Sequence, residues 1–213
     1  MTIKQRSTLS GLLYLSLAII GPIGFFLLPT PFLEATNSDL YTQAHLGTLG
    51  LWFFIELLII AIEVVLTIQL LRLFQVFNRK LSTWAYIFRM AMIVIMSVNA
   101  ILLLIVFVDG GTNSVPYFFL HTVGVYIWQL FFVPHVFLIG FLIAKYVPSN
   151  WKYLGYALII GAFGYFLDSI QNLFLPEVVV LANISMVLLL FVMIGEIGSA
   201  IALLLRKLIP NKK

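Results

Sequence analysis

Five charged side chains interrupt stretches that are otherwise apolar: Glu56, Glu63, Arg89, Asp168 and Glu196. Charges in such surroundings are costly in hydrocarbon, so they turn inward towards partners or a polar cavity. Four carboxylates facing one guanidinium cannot all be ionised without compensation, because desolvation and mutual repulsion both work against the charged form. The excess of acid implies neutral carboxyls held by hydrogen bonds, a bound cation, or a site for a cationic ligand. Glu56 and Glu63 are seven residues apart, two helical turns, and therefore share one helix face.

The elements that must carry these groups are long and apolar. Of 213 residues, 62% are hydrophobic and 9% are Asp, Glu, Lys or Arg, against about 45–50% and about 25% in a soluble domain. This excludes a soluble globular enzyme. Six stretches, Gly11 to Leu33, Gly47 to Leu73, Thr83 to Val108, Phe118 to Ala144, Leu154 to Phe174 and Val178 to Leu205, are each long enough to cross a core of ~30 Å as a helix. The first is too long for a cleaved signal peptide and has no small-residue cleavage site, so it reads as a mature helix. Short connections predict an all-α integral membrane protein, six transmembrane helices in an up-and-down bundle, with 1–213 as one domain. The longest connection, Glu34 to Leu46, reads as a loop with a short interfacial turn. Trp52, Trp84, Tyr86, Tyr117, Trp151 and Tyr153 fall near helix ends, where amphipathic rings favour the headgroup layer.

Eleven of the twelve basic residues lie on one side of this scheme: Lys4 and Arg6; Arg72, Arg79 and Lys80; Lys145 and Lys152; Arg206, Lys207, Lys212 and Lys213. The other three connections carry only Glu34, Asp39, Asp109 and Glu177. The positive-inside rule then places both termini in the cytoplasm, in the cytoplasmic membrane. The net charge of +4 is thus a topology signal, with anionic headgroups and not nucleic acid as its partner.

Counting ~1.5 Å per residue from the basic ends, Glu63, Arg89, His135 and Glu196 lie roughly 10–15 Å deep and can form one polar layer. Glu56, Asn99, Gln129 and Asp168 lie beyond it as a second. Arg89 should therefore be buried and paired with Glu63 or Glu196. Pro134 before His135 removes a backbone hydrogen bond and bends the helix, and Gly21-Pro22 interrupts the first span, where a wide or bent segment can line an opening. Gly161, Gly164 and Asp168 share a face, as do Gly195 and Ser199, at spacings that permit close helix contact.

Other chemistries have weaker support. His121 and His135 are fourteen apart, a spacing like that of stacked-haem helices, but a bis-histidine haem needs a second histidine from another helix. His45 is the remaining one. A zinc site from His45, His121 and Asp168 lacks an H-E-x-x-H spacing. With zero cysteines there is no thiolate site or cysteine nucleophile. No serine-nucleophile motif occurs, and Asp109-Gly110-Gly111-Thr112-Asn113 is a turn and not a phosphate loop. No cofactor is expected.

Arg6 with Gly11-Leu12-Leu13-Tyr14-Leu15, the pair Glu56 and Glu63, Phe77-Asn78-Arg79, Phe88-Arg89, Gly140-Phe141-Leu142-Ile143 to Pro148, Gly161-Ala162-Phe163-Gly164-Tyr165-Phe166-Leu167-Asp168-Ser169, and Glu196 in a Gly-Glu-x-Gly-Ser setting resemble a bacterial family of small multi-pass membrane proteins, domain of unknown function four-three-eight-six. The resemblance covers nearly the whole chain. It implies a bacterial cytoplasmic-membrane location and a histidine at the start of span four, matched by His121, and it supplies no activity.

The function that the acids favour is binding or transport of a small cationic or amphiphilic ligand, or of protons. Its candidate residues are Glu56, Glu63, Arg89 and Asn99, with Gln129, His135, Asp168 and Glu196. The alternatives are an intramembrane enzyme acting on a lipid-like substrate through His121 and a carboxylate, and a non-catalytic partner or regulatory subunit. The expected partners are membrane lipids and that ligand, and a homo-oligomer is compatible with the sequence.

Overall fold

Thr2 and Gln5 start the first helix with a reciprocal cap: Gln5 N–H donates to Thr2 Oγ1 (3.2 Å) and Thr2 N–H to Gln5 Oε1 (2.8 Å), satisfying two groups that the first turn leaves unpaired. From there α1 runs Ile3–Pro22. The computed structural model describes residues 1–147 and 150–208, and every regular element among them is helical. Pro148, Lys212 and Lys213, used above for the resemblance and the charge asymmetry, lie outside the described residues.

At Pro22 the regular ladder gives way, since proline has no N–H and its ring crowds the carbonyl four residues back. A π turn, Ile23–Leu27, follows, with Leu28 N–H donating to Ile23 O at 3.0 Å. Helix α2 (Thr30–Glu34) completes the first span and α3 (Ser38–Ala44) lies in the long connection, capped by Asn37 Oδ1 accepting from Leu40 N–H at 3.1 Å. The remaining spans are α4 (Leu46–Phe74), α5 (Arg79–Val108), α6 (Ser114–Tyr146), α7 (Lys152–Phe174) and α8 (Val179–Leu204). With Ile3–Glu34, these give six helices long and apolar enough to cross a membrane, each matching a stretch expected from the sequence. Most extend a few residues further into their polar flanks, because Asn78 caps α5 through Leu81 N–H (3.1 Å) and comparable turns close the other ends.

Neighbours in sequence are neighbours in space, and α1 packs on both α4 and α8. The spans therefore form a closed ring in the order α1, α4, α5, α6, α7, α8. The chain ends meet at one end of this ring, where Ser7 Oγ donates to Leu203 O (2.6 Å) and Arg6 Nη1 to Gln69 Oε1 (2.9 Å). Hereafter this is the basic end. Small residues set the closest seams. A Cβ on Gly161 would sit 2.5 Å from Val192 N, and one on Gly164 2.8 Å from Leu189 N, so α7 and α8 touch backbone to backbone there. Gly11 holds α1 to α8 in the same way, 2.7 Å from Ala200 O.

At the opposite end α3 folds onto α6. Asp39 Oδ1 accepts from Ser114 N–H (2.7 Å) and Ser114 Oγ (2.6 Å), so it caps α6 from another helix, a task Asn113 next to Ser114 does not perform. The Ser114 hydroxyl and amide hold the Asp39 carboxyl below its ordinary pKa, since both favour the charged form. Gly110 and Gly111 make the α5–α6 turn at φ +68° and +76°, a region that suits glycine. Trp52, placed by its position near a helix end in the headgroup layer, is instead fully buried against Phe32 and Phe118. The fold of the long connection covers it.

Candidate functional site

The ring surrounds a cavity of about 330 Å³ that all six spans line. Its polar wall is built on Arg89, which is 1% exposed in the middle of an apolar bundle. A buried guanidinium is tolerable only if its charge and its N–H groups are matched. Here Arg89 Nε donates to Glu63 Oε2 at 2.7 Å, Nη1 donates to His135 Nε2 at 2.8 Å, and Nη1 also reaches the Tyr14 hydroxyl at 3.3 Å. The guanidinium carbon lies 5.4 Å from the Phe132 ring centroid and 5.5 Å from that of Tyr14, distances at which a cation is attracted to an aromatic face. The chain thus pairs Arg89 with Glu63 and not with Glu196.

Hydrogen-bond roles fix the state of His135. Its Nδ1 lies 2.8 Å from the Ala85 carbonyl, which can only accept, and its Nε2 faces Arg89, which can only donate. The imidazole is therefore neutral with its proton on Nδ1. A second proton on Nε2 would set two donors against each other.

Glu196 lines the same cavity from α8 and makes no hydrogen bond among the described residues. Tyr165, on α7, lines it too, and its hydroxyl likewise makes no hydrogen bond among the described residues. The rest of the wall is apolar and rich in rings: Phe25 packs on Trp128 in a tilted pair with centroids 5.5 Å apart, and Phe132 meets Tyr165 edge-on at 5.4 Å. The site therefore combines a neutralised guanidinium–carboxylate pair, one free acceptor and a large apolar lining. Gly21 and Pro22 do line this cavity, as an interrupted first span should.

The second expected layer does not assemble as one unit. Glu56 Oε1 accepts from Trp52 Nε1 (2.9 Å) and His121 Nε2 (2.7 Å), while Asn99 Nδ2 donates to the His121 carbonyl (3.1 Å). This forms a packed knot of α4, α5 and α6. Gln129 sits at the α6–α7 seam, where it accepts from Ser169 Oγ at 2.9 Å and hydrogen-bonds the Asp168 side chain. Asp168 is half-buried, is bonded within its own helix by Asn172 Nδ2 (3.3 Å), and does not line the cavity. Depth along a helix was right for it, but the direction in which it points was not.

Glu63, Arg89, His135 and Glu196 are thus brought to one place, whereas the other four divide into Glu56 with Asn99 around His121 and Gln129 with Asp168 at the α6–α7 seam. Tyr14 and Tyr165 were missed as site residues; the signal available was a hydroxyl-bearing ring in mid-span, far from the interface. His121, at the start of span four, is a buried partner of Glu56. His45 Nδ1–H donates to the Tyr41 carbonyl (2.8 Å), and the imidazole stacks on the Tyr41 ring. Among the described residues no three His, Asp or Glu side chains converge as a metal site would require.

Comparison with curated proteins and with solved structures returns no match. The family model described as Domain of unknown function (DUF4386) matches residues 9–206, and the chain belongs to that family.

Proposed function

We propose that the chain binds a small cationic amphiphile in the central cavity, with Glu196 receiving the charged head and the aromatic lining receiving the apolar part. The observation that carries this reading is the contrast between two charged groups in one cavity. Arg89 is bonded through Nε and Nη1 to Glu63, His135 and Tyr14 and is 1% exposed, whereas Glu196 makes no hydrogen bond among the described residues and lines the same space. The group that remains to be matched is an acceptor, so the ligand should bring donors or positive charge. The rings of Trp128 and Phe25 in the lining support the same polarity, because ring faces attract cations. The volume falls within the range of about 300–1,000 Å³ of small-molecule sites.

The test is thermal melting in neutral maltoside micelles with decyltrimethylammonium or uncharged decanol added. The cation should raise the melting temperature and decanol should raise it less. Glu196→Gln should weaken the cation's effect about 10- to 100-fold in concentration, as expected for loss of a charge-assisted contact worth about 1.5–3 kcal/mol. Equal stabilisation by both probes, or an unchanged Glu196→Gln response, would overturn the reading.

We further propose that the protein resides in the cytoplasmic membrane with both termini inside the cell. The basic residues gathered at one end of the ring support this orientation. A reporter fused at the C-terminus should be active in the cytoplasm, and activity only outside would reverse the assignment.

A further inference from the structure

The cavity has two axial directions, and packed side chains close both. Towards the basic end lie Leu66, Leu70, Leu142 and Leu203, each at most 2% exposed. Towards the other end Phe32, Leu49 and Leu103 are fully buried. Small hydroxyls, Ser10, Thr67 and Ser199, also lie towards the basic end, but each is at most 3% exposed.

The side of the ring differs. Helices α1 and α8 are clamped together near the basic end by Gly11 against Ala200 O and by Ser7 Oγ on Leu203 O. Ten residues later the contact has ended, and a Cβ on Gly21 would meet nothing within 4 Å. The π turn that follows Pro22 leans the other way, onto α4, where Gly24 sits against Ile59 and Ile55. The interrupted helix thus draws the far half of the first span away from α8. Residues on the two sides of the resulting gap, among them Pro22, Phe26 and Met193, line the cavity and are exposed at the outer surface of the bundle as well. Phe26 is 70% exposed and Met193 53%. In a membrane-spanning ring such a surface meets lipid chains, and no charged or hydrogen-bonding side chain is among those three.

We propose that the ligand reaches Glu196 sideways from the lipid phase through the gap between α1 and α8 at Gly21, Pro22 and Met193, and that its tail stays in that gap. This rests on the cavity reading above and narrows the ligand class to a single-chain amphiphilic cation dissolved in the bilayer, as opposed to a water-soluble ion of similar head. The head lies beside the Glu196 carboxylate. The chain runs past Phe25 and Trp128 towards the bilayer, where the exposed rims of α1 and α8 continue the hydrocarbon environment.

Gly21 makes the gap testable, because a Cβ there meets nothing within 4 Å and leaves room for a larger side chain to fill the mouth. The probe is a trimethylammonium amphiphile with a brominated tail, and binding is read as quenching of Trp128 fluorescence, with Trp128→Phe as the blank. The wild type should be quenched saturably. Gly21→Phe should bind at least about tenfold more weakly while melting at the wild-type temperature. Excess tetramethylammonium, which has the head without the tail, should compete poorly. Wild-type affinity in Gly21→Phe, or strong competition by tetramethylammonium, would overturn the sideways route. If Glu196→Gln abolished quenching in that same experiment, the cation site would stand while its route fell. If a brominated neutral amphiphile quenched as well as the cation, with Gly21→Phe blocking both, the route would stand and the cation site would fall. Absence of saturable Trp128 quenching in the wild type would overturn both.

Discussion

Arg89→Ala is expected to destabilise the protein by about 3–5 kcal/mol, the cost of leaving a buried charge without its partner. Three losses combine in the one change. Glu63 Oε2 loses a donor at 2.7 Å, His135 Nε2 loses one at 2.8 Å, and the space beneath Phe132 and Tyr14 is emptied of a cation that both rings faced. Lysine should rescue only part of this, because its single ammonium cannot reproduce the fork that contacts Glu63 and His135 on different edges. Replacing both members together, Arg89→Met with Glu63→Leu, should recover much of the stability, since a well-packed apolar pair carries no desolvation penalty. Melting temperatures of the three variants and the wild type in one detergent check this. An unchanged melt for Arg89→Ala would mean that the pair contributes nothing to holding α4, α5 and α6 together.

The second large effect is expected at the α7–α8 seam. In Gly161→Val the new Cβ alone lies 2.5 Å from Val192 N and 2.8 Å from Val192 Cα, and backbone atoms cannot rotate away as a side chain would. The two helices must separate, with overpacking costs of about 1–3 kcal/mol or more. The lost contact would extend along Gly164, which leans on Leu189 N by the same means. Gly21→Ala is the matched control: it has open space and gains helix propensity, so it should be neutral or stabilising by up to about 1 kcal/mol. The comparison of melting temperatures separates crowding from any general cost of replacing glycine in a span. A Gly161→Val protein that melted with the wild type would show that the seam is wider than its geometry implies.

The six spans were legible because length and hydropathy are properties of consecutive residues, and a membrane demands both. Pairing of Arg89 with one of two acids followed from height along the helix axis, which rises uniformly with residue number. What height cannot give is azimuth. Asp168 has the height of a second polar layer but points away from the cavity, and Gln129 bonds Ser169 while Glu56 binds His121 and Trp52. Each rotation about an axis is decided by packing, here by glycines that force one face of α7 onto α8. Trp52 was misplaced for a related reason: its nearness to a helix end held, but Phe32 and the folded connection cover that end. The Gly21-Pro22 pair announced an irregularity, whereas the lean of the π turn towards α4 depends on Gly24 meeting Ile59, a contact between residues thirty-five apart.

Closure of the ring has a consequence for how the chain is built. Ser7 and Leu203 are separated by 196 positions, so during synthesis α1 waits for α8 before its second flank is covered. The Arg89–Glu63 pair has no such delay, because α4 and α5 form a hairpin whose partners are 26 residues apart. Charge is therefore neutralised early, by a local contact that forms readily, while the non-local joint, which carries the larger loop-closure cost, comes at the end. Until α8 arrives, the apolar flank of α1 stays open to lipid and to neighbouring chains, and assembly is at its most vulnerable on the same side that the finished protein leaves ajar.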